Sequence, residues 1–167
     1  MILRDVHESG AGNGAALYDL SEAFRKKGQL QEAIEACRRA LALLESEAWI
    51  WSHLGGLLIQ AKLLDEAEEK LKQADCLKPA DMLTNFRIGR LHEERGEIAD
   101  ALERMSRAVS IEPRHGWLWR HYGNLLLAAG EDRKAEAAHR RADEADGAAT
   151  RIEPMVTRAK ADPERAN

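Results

Sequence analysis

Apolar and small residues recur along this chain with a period of 34. The stretch AWIWSHLGGLLIQAKLLDEA from Ala48 and the stretch GWLWRHYGNLLLAAGEDRKA from Gly116 share W-x-W-x-H-x-G-x-L-L and a final Ala, at an offset of 68. Halving that offset divides the chain into 14–47, 48–81, 82–115 and 116–149, with no insertion or deletion. Numbering each repeat from 1 to 34, place 20 holds Ala33, Ala67, Ala101 and Ala135, and place 27 holds Ala40, Ala74, Ala108 and Ala142. Place 8 holds Ser21, Gly55, Gly89 and Gly123. Larger side chains sit between these: Leu20, Leu54, Ile88 and Tyr122 at place 7, and Cys37, Leu71, Met105 and His139 at place 24. Helices approach closely only where the side chains at the crossing are small. The pattern therefore predicts two tightly crossed helices per repeat, four times over.

Breaks in the pattern predict the turns. Gly28, Gly96 and Gly130 stand at place 15, where a first helix should end in a left-handed cap. Lys62 occupies that place in the second repeat, so a different cap is expected there. Pro79 and Pro113 at place 32 stop the second helix, because proline has no N–H to continue the ladder. Glu45 and Gly147 replace it in the outer repeats.

These residues resemble the tetratricopeptide repeat. The second repeat reads W-x-x-L-G-x-x-L from Trp51, then Ala67, Leu71, Ala74 and Pro79. The third carries Ile88–Gly89, Ala101, Met105, Ala108 and Pro113, and the fourth W-x-x-Y-G from Trp119. The first repeat departs most, with Leu17 for Trp and Ser21 for Gly, and the fourth puts His139 where an apolar residue is usual. The resemblance implies an all-α, right-handed solenoid of four helix-turn-helix repeats. Repeat arrays need a polar-backed cap over their last apolar face, so a capping helix is expected over 150–161. Residues 1–13 are expected to be a flexible lead-in and 162–167 a disordered tail.

Composition narrows the function. The 167 residues suit one domain. Aromatics at 5% and four prolines favour helix over a β-sandwich. The net charge of −4 excludes a general polyphosphate binder and opposes nucleic acid as partner. The apolar runs 54–59 and 125–129 are too short to enter a membrane as spans, and the first residues lack a secretory pattern. Cys37 and Cys76 fit packed thiols in a reducing compartment, so a cytoplasmic location is expected.

Catalytic signals are missing. His92–Arg95 reads HEER, but Gly96 stands where the second zinc-binding His of HExxH would be. There is no phosphate-binding loop with the spacing of nucleotide enzymes and no serine nucleophile elbow, and the glycine-rich 10–14 has no strand before it. We therefore expect no enzyme, no cofactor, no metal and no catalytic residue.

Function then falls to the concave face. By the resemblance, the first helix of each repeat lines it with places 2, 5, 6, 9, 12 and 13. There Arg87, Arg90 and Arg120 come together with His53, His121 and Asn124, flanked by Trp49, Phe86 and Trp117. Arginine and aromatic residues are enriched at binding hot spots, and the guanidinium fork grips carboxylates. Plainer roles remain open for several of them. Trp49 and Trp117 could cover a neighbouring helix, and the paired places of His53 and His121 could serve a common structural hydrogen bond. Arg87 and Arg90 could be a solvated face paired with Glu93 and Glu94. The expectation is a protein-interaction scaffold or adaptor that holds a partner protein or peptide with acidic and apolar residues. A regulatory or substrate-presenting module of a glycosyltransferase- or methyltransferase-type system, or a self-assembling structural protein, are the alternatives. The chaperone carboxylate clamp of some family members is disfavoured, since of Tyr18, Glu22, His53, Leu83 and Arg87 at its places only Arg87 fits.

Overall fold

The computed structural model describes the backbone of residues 10–160 and the side chains of residues 12–147. Among these, eight helices form and no strand: α1 (Gly10–Lys26), α2 (Leu30–Leu41), α3 (Ala48–Gln60), α4 (Leu64–Leu77), α5 (Met82–Glu94), α6 (Ile98–Ile111), α7 (Gly116–Ala128) and α8 (Asp132–Lys160). The starts of α3, α5 and α7, and of α2, α4, α6 and α8, each step by 34 residues. Every helix packs on its predecessor and its successor, and α3 also touches α5. The result is an all-α solenoid of four helix pairs.

The recurring alanines explain the close crossing. All eight at places 20 and 27 are 0% exposed. Place 8 faces place 24: a Cβ on Gly55 would lie 2.6 Å from Leu71 Cγ, so the glycine is what admits the leucine. In the first pair Ser21 is tolerated at place 8 because its hydroxyl donates to Ala33 O at 2.8 Å. That bond satisfies a buried polar group.

Each pair turns through a left-handed residue. Gly28, Gly96 and Gly130 have φ near 76° and Lys62 has φ 61°. The expectation of a different cap at Lys62 is thus corrected. The same six-residue closure forms in all four turns, with Gln29, Leu63, Glu97 and Glu131 donating their backbone N–H to Phe24, Leu58, His92 and Leu126 at 2.9–3.0 Å. The turn is enforced by packing on both sides, and the lysine adopts it.

Two ends differ from the sequence reading. α1 begins at Gly10, inside the stretch read as a lead-in. Gly14, the first residue of the first repeat, is buried, and a Cβ on it would strike Leu44. α8 continues without a break through 150–160, where a separate capping helix is expected from the sequence. Gly147 stands where Pro79 and Pro113 end the earlier helices, and it leaves the hydrogen-bond ladder open. The rest of the lead-in, residues 1–9, and the tail 162–167 lie outside the described residues.

The joints between pairs alternate in chemistry. The first joint sets Ile34 and Leu41 of α2 with Ile50 and Trp51 of α3 in one apolar cluster. The third joint sets Leu102 and Val109 of α6 with Leu118 and Trp119 of α7 in another. At the same four places the second joint has Glu68, Asp75, Thr84 and Asn85. Arg95 bridges to Glu68 at 2.7 Å and to Asp65 at 2.9 Å, and Arg104 to Asp75 at 2.9 Å. Buried Asn85 donates to Pro79 O and Asp81 O at 3.1 and 2.9 Å. No helix among the described residues is long and apolar enough to cross a membrane.

Candidate partner-binding groove

Side chains of the first helices form two similar aromatic groups, 68 residues apart. Tyr18 meets Trp49 edge-on at 4.7 Å and His53 at 4.8 Å. Phe86 meets Trp117 at 5.0 Å and His121 at 5.3 Å, with nearly the same interplanar angles. In both cases a ring at place 5 is held between a Trp at place 2 and a His at place 6 of the next pair. The two tryptophans are each 42% exposed, so each both covers its neighbour and presents a face to solvent. Trp51 and Trp119, by contrast, donate their indole N–H to Glu45 O and Pro113 O at 2.8 Å and serve the joints.

The two histidines differ in setting. His53 is 5% exposed, and its Nε2 lies 3.4 Å from both Ser21 Oγ and Glu22 Oε1. Burial, reinforced by the positive charge of Arg87, pushes its pKa down to about 4. His53 is therefore a neutral ring at physiological pH. His121 is partly exposed and meets Glu93 Oε2 at 3.0 Å. Burial raises the pKa of Tyr18, and hydrogen bonds from Arg25 hold that of Glu22 below the usual carboxylate value. Burial pushes the Cys37 thiol up to about 12, so it is unreactive packing.

Between the aromatic groups lies a cleft of about 350 Å³ walled by α1, α3 and α5. Leu57, Ile59, Leu83 and Phe86 give it apolar lining, and Glu22, Arg25, Gln60, Arg87 and Arg90 give it polar lining. Arg25 is tied to Glu22 by two bonds of 2.8 and 2.9 Å. Arg90 lies 3.1 Å from Glu93 and 3.5 Å from Glu94. Arg87 differs from both. It donates to the neutral Ser52 Oγ at 2.8 Å and has no carboxylate partner among the described residues. Burial pulls its pKa down. Gly56 makes room for it, since a Cβ there would lie 2.9 Å from Arg87 Nε.

Of the nine residues expected in the groove, His53, Phe86, Arg87 and Arg90 line this cleft. Trp49 flanks it through Tyr18. Trp117 and His121 belong to the second aromatic group. Arg120 turns to α8, 2.5 Å from Asp146 and 3.4 Å from Asp143, and Asn124 meets His139 at 3.2 Å. Tyr18, Glu22, Arg25 and Leu83 join the cleft from the same repeat places. Their place numbers are the available signal, but the sequence does not show that Arg25 and Glu22 cancel one another.

A family model described as tetratricopeptide repeat matches residues 24–81 and 92–159. The chain belongs to the tetratricopeptide repeat family. It is 31% identical over 90 residues to the cell division cycle protein 27 homolog of Caenorhabditis elegans, covering 54% of this chain and 11% of that protein. This tetratricopeptide chain thus spans about a tenth of the length of that curated relative. Its fold resembles that of MamA residues 41 to the end from Desulfovibrio magneticus RS-1, with TM-score 0.69 and 19% identity over 81% of this chain and 76% of that one. A second MamA crystal structure gives TM-score 0.71 and 20% identity over 83% and 81%.

Proposed function

We propose that this tetratricopeptide chain is a non-catalytic scaffold whose concave cleft holds an extended or helical segment of a partner protein. The segment carries an acidic side chain that meets Arg87 and an apolar one that rests on Leu57, Ile59 and Phe86. One observation carries this reading: a partly buried guanidinium on the cleft wall, bonded to a hydroxyl and, among the described residues, to no carboxylate. Charge-assisted pairing with a ligand carboxylate would compensate its desolvation. Binding of an array of synthetic peptides that combine acidic and apolar residues tests it. Replacing Arg87, Arg90 and Arg120 together with Ala should weaken the best binders at least tenfold while the unfolding midpoint moves little. Arg120→Ala alone should leave binding intact, because Arg120 faces α8. Undiminished binding in the triple variant, or no binder in the array, overturns the reading.

A second reading rests on the solenoid edge where second helices end and first helices begin. Leu43, Leu77 and Ile111 at place 30, and Trp49, Leu83 and Trp117 at place 2, are all 36–45% exposed along it. Apolar rows of this kind favour association, and copies meeting there would self-assemble. Light scattering over a concentration series decides: a constant monomer mass rejects self-assembly.

A further inference from the structure

The turn of the third helix pair departs from the other three in a coordinated way. Place 11 lies in the last turns of the first helices, and it holds Phe24, Leu58 and Leu126 in pairs one, two and four. Leu58 and Leu126 are buried core residues, and Phe24 packs against the core. The third pair puts His92 there. Place 19 holds Glu32, Glu66 and Lys134 in the other pairs, and each has a partner: Gln29, Arg38 and Glu131. The third pair has Asp100 there, whose carboxylate makes no hydrogen bond or ion pair among the described residues. Place 16 holds Glu97, whose side chain does not cap α6. It reaches back instead, placing Oε2 2.6 Å from His92 Nδ1.

We propose that His92, Glu97 and Asp100 bind a divalent cation of the Zn²⁺ class. One ligand atom from each of the three lies within 4.8 Å of the others. Zinc holds nitrogen and oxygen ligands at about 2.1 Å in a tetrahedron, so the donors around one ion stand about 3.4 Å apart. Small side-chain rotations close the difference. The set is one imidazole and two carboxylates, which suits a borderline metal. Hard ions such as Mg²⁺ prefer all-oxygen, water-rich shells. No Lys or Arg among the described residues forms an ion pair with either carboxylate, whereas Glu131 in the fourth pair is paired with Lys134. Apart from the His92–Glu97 contact, the like charges of Glu97 and Asp100 are left for a cation to compensate.

The backbone fixes the site. His92 lies in the last turn of α5, Gly96 takes φ 75°, and Glu97 and Asp100 open α6. The Glu97 N–H donates to His92 O at 2.9 Å, which sets the spacing of the first two ligands. An ion there would tie the end of α5 to the start of α6. It would take over the cohesion that Leu58 and Leu126 supply by burial. Three protein ligands leave positions for water or for a donor from a partner.

The test uses the full chain, stripped with a chelator and titrated with ZnCl₂, by calorimetry and thermal unfolding. The wild type should bind one equivalent and show a rise in Tm that grows with Zn²⁺ concentration. His92→Leu restores the residue of pairs two and four, and Asp100→Lys restores the Glu–Lys pair of the fourth. Both should fold at least as stably without metal and bind Zn²⁺ at least tenfold more weakly. MgCl₂ should give no comparable rise. No one-site binding in the wild type, equal affinity in the variants, or an equal response to Mg²⁺ would each overturn the assignment.

Discussion

The first and third joints of the solenoid are apolar at four matched places and the second is polar there, yet the same backbone period runs through all three. At four matched places Ile34, Leu41, Ile50 and Trp51 correspond to Glu68, Asp75, Thr84 and Asn85. The 34-residue step does not change, and the buried alanines at the crossings are common to all pairs. Joint chemistry is therefore free to vary without altering the fold. The difference lies in what each joint resists. An apolar joint is stabilised in proportion to the apolar area it buries, which salt does not screen. A polar joint depends on ion pairs that salt screens.

The largest expected effect comes from emptying an apolar joint. Ile50 and Leu118 are 0% exposed at matched places in the first and third joints. Ile50→Ala and Leu118→Ala should each cost about 2–5 kcal/mol, the transfer energy plus the cavity left behind. The loss, read from urea unfolding, should be the same in low and high salt. A strong salt dependence in either variant would erase the contrast between the joints.

Next comes the buried imidazole on the first-joint side of the cleft. His53 has its pKa pushed from 6.5 to about 4 in the folded chain, first by burial and then by Arg87. Between these values the unfolded chain binds the proton and the folded chain does not. Stability is therefore full above pH 6.5 and falls as pH drops toward 4. At pH 5 the loss is about 2 kcal/mol relative to pH 7.5, since each tenfold difference in proton affinity between the two states is worth about 1.4 kcal/mol. His53→Leu should flatten that part of the profile. A variant that keeps the wild-type slope would show that other groups cause it.

Much of this is legible in the sequence, because packing and periodicity are local to the 34-residue unit. Eight alanines at two places mark the helix crossings, and three glycines at place 15 mark the turns. Lys62 reads as an exception because propensity alone disfavours it in a left-handed turn, whereas the four hydrogen-bonded closures are imposed by the helices on either side. The groove is only half legible. The places of Arg87, Arg90 and Arg120 are set by the repeat, but their partners come from other helices: Ser52 on α3 for Arg87, and Asp143 and Asp146 on α8 for Arg120. Repeat numbering cannot show which charges are cancelled. The alternation of joints is present at places 21 and 28 and becomes meaningful only once those places are seen to face each other across a joint.

A smaller effect is expected at the polar joint itself. Arg104 bonds Asp75 at 2.9 Å and Asn85 at 3.3 Å, and Asp75 already has one oxygen without a hydrogen-bond partner. Arg104→Ala should cost about 1 kcal/mol, because the pair is partly solvated. The cost should shrink in 1 M salt, where the screening length falls to about 3 Å. A loss independent of salt would mean that the stem of Arg104, rather than its charge, supports the joint.

The smallest effect is a gain, at the turn that leads into the polar joint. Lys62 sits at φ 61°, where the other three pairs have glycine. Relief of the left-handed conformation in Lys62→Gly is worth about 1–2 kcal/mol. Against this, glycine loosens the unfolded chain by about 0.4–1 kcal/mol. The ion pair of Lys62 with Glu94 is also lost, and solvent screens an exposed pair of this kind heavily. The balance favours the variant by about 0.5 kcal/mol, a small rise in the urea midpoint. A rise that grows with salt would show the lost ion pair to be the opposing term, because salt removes that pair's contribution from the wild type. A fall in stability at low salt would mean that the Lys62–Glu94 pair outweighs the backbone strain, and that the lysine is kept at this turn to hold the second and third pairs together.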